Sequence, residues 1–90
     1  MFAIMLVDDA RKDLALLPAR LRSAMLDNIE AHLRHDPLRA SRNRKPLRAP
    51  FAPRWELRVG EHRVFYRVDG RAVEVLRIVR KGRKKTEDVT

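Results

Sequence analysis

The segment WELRVGEHRVFYRVDGRAVEV, residues 55–75, leaves the chain few ways to fold. Apolar residues alternate with polar ones, and the alternation is broken twice, at Gly60-Glu61 and at Asp69-Gly70. A period of two marks strands with one buried face, and a glycine-containing pair between such runs marks a two-residue hairpin turn. The segment therefore reads as a three-stranded antiparallel meander. Counting outward from Gly60-Glu61 sets Arg58 against Arg63, Leu57 against Val64, Glu56 against Phe65, Trp55 against Tyr66 and Arg54 against Arg67. Counting outward from Asp69-Gly70 sets Arg67 against Ala72, Tyr66 against Val73, Phe65 against Glu74 and Val64 against Val75. Both counts put Trp55, Leu57, Val64, Tyr66, Val68, Val73 and Val75 on one face. Arg54, Glu56, Arg58, Arg63, Phe65, Arg67 and Glu74 fall on the other.

The apolar face needs a cover, and the upstream sequence supplies one. FAIMLV, residues 2–7, reads as a short buried strand; it is too short, and lacks the preceding basic residues, for a secretory signal. In DDARKDLALL, Asp8 or Asp9 is a candidate helix cap, and Ala10, Leu14 and Leu17 share one helical face. Pro18 closes that helix or opens the next. Leu21, Met25, Ile29 and Leu33 then recur every four residues until Pro37 prevents continuation. Two helices thus form a hairpin against the sheet. LRASRNRKPLRAPFAPR contains Pro46, Pro50 and Pro53 and reads as an extended surface loop carrying Arg39, Arg42, Arg44, Lys45, Arg48 and Arg54. The whole, residues 1–90, is expected to be one α+β domain: an N-terminal strand and a helical hairpin packed on one face of an antiparallel sheet that ends in the meander. A chain of 90 residues has no room for a second core. Nothing in it approaches the length of a membrane span.

The polar face is unusual. Arg58 against Arg63 and Arg54 against Arg67 are like-charge cross-strand pairs, which folding alone does not call for. One reading is that Glu56 and Glu74 neutralise the cluster while arginine stems cover Phe65. The other is an anion site where guanidinium groups converge and Phe65 offers a ring for a base to stack on. The balance of charge bears on the choice: 21 Lys and Arg against 12 Asp and Glu give a net +9. Such a domain ordinarily meets nucleic acid or an acidic protein. The tail VRKGRKKTEDVT adds Arg80, Lys81, Arg83, Lys84 and Lys85 and leaves from the edge of the meander. There is no cysteine, which removes thiolate metal sites and favours a reducing compartment. His32, His35 and His62 form no ligand cluster, and the register puts His62 on the helix side. No metal or cofactor is implied.

The order of elements, together with RNRKPLR, the stretch WELRVGEHRVFYRVDGRAVEVLRIVRKGRKKTED and especially R-V-G-x-x-R-V-x-Y from Arg58 to Tyr66, resembles the RelE/ParE superfamily of bacterial type II toxins. The resemblance spans nearly the whole chain. It implies a RelE-like fold and a cytoplasmic, metal-independent endoribonuclease that cuts mRNA in the ribosomal A site. A cognate antitoxin would hold it inactive, and the pair would bind operator DNA. In the ParE branch the target is DNA gyrase instead, and a degenerate member would survive as an antitoxin-binding corepressor. Carried onto this sequence, Arg63 contacts the scissile phosphate and Arg83 stabilises charge there. Arg54 stands where RelE has a basic residue. Glu56 occupies the position of a second-strand lysine proposed as base, and Val89 that of a C-terminal tyrosine. Lys45 lies near a base glutamate of some members. The expected catalytic residues are Arg63, Arg83 and Glu56, with Arg54, Arg58, Phe65, Arg67, Lys45, Lys84 and Lys85 holding RNA.

Overall fold

The structure, a computed structural model, describes residues 1–81. The expected site residues Arg83, Lys84 and Lys85 lie outside the described residues. Seven elements follow one another: β1 (Ala3–Leu6), α1 (Asp8–Ala15), α2 (Ala19–Leu33), β2 (Arg44–Pro46), β3 (Trp55–Val59), β4 (His62–Asp69) and β5 (Ala72–Arg80). The five strands form one sheet in the order β1-β5-β4-β3-β2. It is antiparallel throughout the meander and at β2–β3, but β1 joins β5 in parallel, so the sheet expected to be antiparallel is mixed.

Two glycines set the meander. Gly60 and Gly70 have φ of 58° and 62°, in the left-handed region that costs other residues energy and glycine almost none. The first hairpin has the expected register, with Trp55, Glu56, Leu57 and Arg58 opposite Tyr66, Phe65, Val64 and Arg63. The second differs. Its loop is Gly70-Arg71, since Asp69 faces Ala72. Glycine then occupies the first loop position in both hairpins. Arg67 accordingly faces Glu74 rather than Ala72, and Tyr66 faces Val75 rather than Val73. Up to Tyr66 the displacement is two residues, so these side chains keep their expected faces; beyond it a bulge between Phe65 and Tyr66 shifts the pairing by one more, setting Phe65 against Arg77 and Val64 against Ile78.

That apolar face carries the core. Leu57, Val64, Tyr66, Val73 and Val75 are fully buried, with Ile78, against Ala10 of α1 and Met25, Ile29 and Leu33 of α2. Trp55 is half-buried and stacks on Tyr66, ring centroids 6.3 Å apart. The Tyr66 hydroxyl donates to the Pro37 carbonyl at 2.6 Å, pinning the end of the helical hairpin to the centre of the sheet. Burial pushes the pKa of this phenol up, despite the opposing field of Arg44.

Other expectations needed correction. The run at residues 2–7 is an edge strand, not a buried one: burial alternates along β1 and Met5 is 55% exposed. Neither Asp8 nor Asp9 is the cap of α1; Val7 precedes the helix, and both acids lie in its first turn, where their charge opposes the helix dipole favourably. Leu21, expected on the buried stripe of α2, is 45% exposed. The proline-rich loop contains a strand, β2, because Arg44, Lys45 and Pro46 pair with Leu57, Glu56 and Trp55. Pro46 is tolerated on this edge strand, where no neighbour needs its missing N–H. Among the described residues no helix is long and apolar enough to cross a membrane.

β1 flanks β5 only along Ala72–Val75, so no described strand pairs with the outer edge of β5 beyond Val75. Asp13, near the end of α1, closes part of it. Its carboxylate accepts the Ile78 backbone N–H at 2.9 Å and two Arg77 guanidinium bonds at 2.7 and 3.1 Å. The Arg77 bonds, ahead of an opposing cost of burial, hold the Asp13 pKa below its ordinary value of 3.8.

Two expected outcomes follow. Leu57→Ala leaves a hole at the centre of the core and lowers unfolding free energy by about 2–4 kcal/mol, measured by denaturant titration. A loss below that of an exposed leucine would show that Leu57 does not face the helices. Asp13 has its folded pKa depressed, so its stabilisation is present above pH 3.8 and disappears as pH falls through the lower folded value. Asp13→Asn should therefore destabilise at neutral pH and converge with wild type under strong acid; parallel curves at all pH values would exclude the tether.

Candidate functional site

No described helix covers the opposite face of the meander, and that face carries those residues the sequence singled out that lie within the described chain. Pairing arranges them in rows across the sheet. Lys45, Glu56, Phe65 and Arg77 lie in one row, and Arg58, Arg63 and Val79 in the next. Arg67 and Glu74 form a third. Arg54 lies just before β3. The backbone thus brings Lys45, Arg54, Glu56, Arg58, Arg63, Phe65 and Arg67 together on one surface.

Their electrostatics answer the question that the like-charge pairs raise. Arg63 Nε lies 2.9 Å from the Glu56 carboxylate, and both side chains are largely shielded, at 11% and 13% exposure. Glu56 is one step diagonal to Arg63, which lets the two meet across β3 and β4 while Arg58 remains directly opposite. Arg67 Nε donates to Glu74 at 2.6 Å. That bond raises the Arg67 pKa, aided by the charges of Glu74 and Asp69. Arg77 is likewise raised, first by its bonds to Asp13. Arg63, Arg67 and Arg77 therefore each have a carboxylate partner, whereas Arg54 and Arg58 are exposed and make no ion pair among the described residues. The face is not a bare convergence of cations. It has a shielded ion pair at its centre and free arginines at its rim.

The pair with Glu56 does not use all the hydrogen-bond donors of Arg63. A guanidinium has five N–H donors. One reaches Glu56 and another makes a long contact with the His62 carbonyl at 3.5 Å. The remaining N–H groups make no hydrogen bond among the described residues.

Phe65 shares a second feature of this face. The chain between β2 and β3 folds back over the sheet, and Leu47, Phe51, Arg54, Phe65, Leu76 and Arg77 enclose a cleft of about 310 Å³. Sequence reasoning named Phe65 and Arg54 but missed Leu47, Phe51, Leu76 and Arg77. Phe51 lies in a stretch read only for its prolines and charges, although an aromatic residue inside it was a usable signal. His62 lies on the helix side as the register required, lining a separate cleft with Leu21 and Met25 of α2. Arg44, one of the basic loop residues, is structural: its guanidinium donates to the carbonyls of Arg39 and His32 at 3.0 and 2.9 Å. The described chain ends at Lys81, whose N–H donates to the Glu61 carbonyl beside the Gly60-Glu61 turn.

Comparison with known proteins gives a consistent picture. Residues 4–85 match the family model described as the ParE toxin of the type II toxin–antitoxin system parDE. Toxin RelG of Mycobacterium tuberculosis is 33% identical over 79 residues, covering 86% of this chain and 87% of that protein. Among solved structures, the toxin–antitoxin complex RelBE2 from Mycobacterium tuberculosis contains a chain 32% identical, with a TM-score of 0.78 over 89% of this chain and 98% of its own. The archaeal RelE–RelB complex from Pyrococcus horikoshii and the isolated E. coli RelE toxin, at 20% and 17% identity, share the fold with TM-scores of 0.73 and 0.72. They cover 91% and 94% of this chain and 97% and 89% of their own chains.

Proposed function

This chain belongs to the ParE toxin family, in the RelE/ParE superfamily, and is a toxin of a type II toxin–antitoxin system; from that premise we propose that it is a metal-independent endoribonuclease that cuts ribosome-bound mRNA and so arrests translation. The observation that carries the reading is the shielded Glu56–Arg63 pair on an open, arginine-rimmed sheet face.

The chemistry asks for little more. A ribose 2′-hydroxyl gives up its proton and attacks the adjacent phosphorus, negative charge builds on the phosphoryl oxygens, and the bond to the 5′-oxygen breaks, leaving a 2′,3′-cyclic phosphate and a 5′-hydroxyl that has taken a proton from water. Preorganised cations meet that charge without reorganisation, a contribution of about 10²–10³ in rate for one well-aimed donor. Arg63 is the cation whose orientation Glu56 fixes. Glu56 itself takes the proton of the 2′-hydroxyl, a role that typically contributes about 10²–10⁴-fold. Arg58 and Arg54 guide the backbone of the RNA and Arg67 and Lys45 flank it; Arg83, Lys84 and Lys85 are the further cations that the family resemblance implies. The site acts on the ribosome and hence in the cytoplasm. The partner is a cognate antitoxin, as in the RelBE2 and RelE–RelB complexes, and operator DNA is met only through that complex.

One observation favours a second reading. Carboxylates neutralise Arg63, Arg67 and Arg77, which suits a surface that docks a protein as well as one that clamps a phosphate. In that case the toxin binds a target such as DNA gyrase and cuts nothing.

The test is induction in cells, followed by growth, mapping of mRNA 5′-ends and plasmid supercoiling, for wild type, Arg63→Ala, Arg83→Ala and Glu56→Gln, each checked for folding. The nuclease reading requires mRNA cuts in wild type that fall about a hundredfold or more in Arg63→Ala and Glu56→Gln. Growth arrest with intact mRNA and altered supercoiling would replace it with the gyrase reading. Full toxicity of a folded Arg63→Ala would remove the phosphate clamp altogether.

A further inference from the structure

Beside the Glu56–Arg63 pair the open face turns apolar. The fold-back that covers it is ordered by its own backbone: the N–H of Leu47 donates to the Arg54 carbonyl at 2.8 Å, Phe51 to Arg48 at 2.9 Å, and Arg54 to Phe51 at 2.9 Å. These bonds hold Leu47 and Phe51 beside Phe65 and Leu76, with the guanidinium-bearing Arg54 and Arg77 completing the wall. Phe51 is 56% exposed beside this apolar cleft, which no described residue fills.

We propose that this cleft is a nucleobase subsite, which holds the base attached to the phosphate at Arg63. The proposal rests on the nuclease reading and adds to it a place for one specific nucleotide.

Three observations support a base rather than another occupant. The cleft, at about 310 Å³, is at the lower end of pockets that enclose a small ring system. Its lining combines two aromatic rings with the side chains of two arginines, one of which, Arg77, is already bonded to Asp13, and ring faces beside cationic side chains suit the π-face of a base. The third is position. Phe65 and Arg63 are two residues apart on the same face of β4, a spacing of about 6.8 Å, and Phe65 lies directly opposite Glu56. A single nucleotide spans a comparable distance from phosphate to base. With its phosphate at Arg63 and its 2′-hydroxyl toward Glu56, its base falls over Phe65. The lining offers few hydrogen-bonding groups, so recognition is by stacking and favours purines over pyrimidines without reading either one strictly.

The experiment uses ribosomes programmed with mRNA in which one nucleotide at a time, around the cleaved bond, is abasic. Single-turnover cleavage is measured with wild type, Phe51→Ala and Phe65→Leu. Phe51 is a loop residue, so its removal leaves the core intact, and Phe65→Leu keeps apolar bulk while deleting the ring. One abasic position should slow wild type about tenfold, with the other positions near neutral. Each variant should cleave the intact message more slowly by a similar factor and lose its sensitivity to that one abasic position. If the effects of variant and abasic position multiply instead, or no position is sensitive, the base does not occupy the cleft, while wild-type cleavage keeps the nuclease reading standing. If the variants cut normally but bind the antitoxin more weakly, the cleft docks a protein and the subsite is overturned. Absence of any cleavage by wild type would defeat the nuclease reading first, and the subsite with it.

Discussion

The arrangement of this protein depends on the reversal of the chain at two left-handed glycines. Gly60 and Gly70 fix which residue of β4 faces which residue of β3 and β5, and a sheet has only two faces. A slip of one residue would turn Leu57, Val64 and Tyr66 toward water and Glu56, Arg63 and Phe65 into the helices. Core and functional face are thus the two outcomes of a single register. The hydrogen bond from Tyr66 to the Pro37 carbonyl extends that control to the helical hairpin, because a buried hydroxyl and a buried carbonyl must both be satisfied at one place.

The open face divides its arginines between two physical roles. Arg54 and Arg58 are exposed and lack carboxylate partners among the described residues. Charges of that kind act at a distance, draw in a polyanion and are screened by salt. Arg63 is shielded and held by Glu56, so it moves little and its field is less screened. Removal of either member leaves an uncompensated charge in a poorly solvated place, which ties the two residues together energetically. On the nuclease reading proposed above, binding and chemistry can therefore be separated on this face even though both rely on the same side-chain type.

Much of this was legible in the sequence because it is set by local pattern. The first hairpin register, the two faces, the helical hairpin and the resemblance to RelE/ParE toxins all follow from spacing within short segments. What was not legible depends on distant contacts. Gly70-Arg71 and Asp69-Gly70 are both acceptable two-residue loops, and the choice between them rests on how β5 meets β1 and the helices as well as on the turn. β2 was hidden by its proline, since an edge strand of three residues carries almost no periodicity. The fate of the like-charge pairs stayed open because it depends on side-chain reach: Glu56 could neutralise Arg63 or stand apart, and only the geometry shows that they meet. Phe51 and Leu47 join the site through a loop whose path no local pattern predicts.

One irregularity links these levels, and its cause is visible in the residues themselves. Val73 and Val75 are buried, but the next core residue of β5 is Ile78, three positions on rather than two. Strict alternation cannot bury both Val75 and Ile78. The sheet resolves the conflict with a bulge: Tyr66 faces Val75, yet its neighbour Phe65 faces Arg77, so β5 carries one residue more than β4 at this point. Leu76 and Arg77 both come to line the cleft beside Phe65. Asp13 then takes the backbone N–H of Ile78 and the guanidinium of Arg77 at that same place, holding the extra residue in register. A packing demand of the core thus creates the apolar wall on the opposite face, and the helix that covers the core stabilises the wall from behind. The cleft and the ion pair beside it are two consequences of one sheet, the first from where its alternation breaks and the second from where it holds.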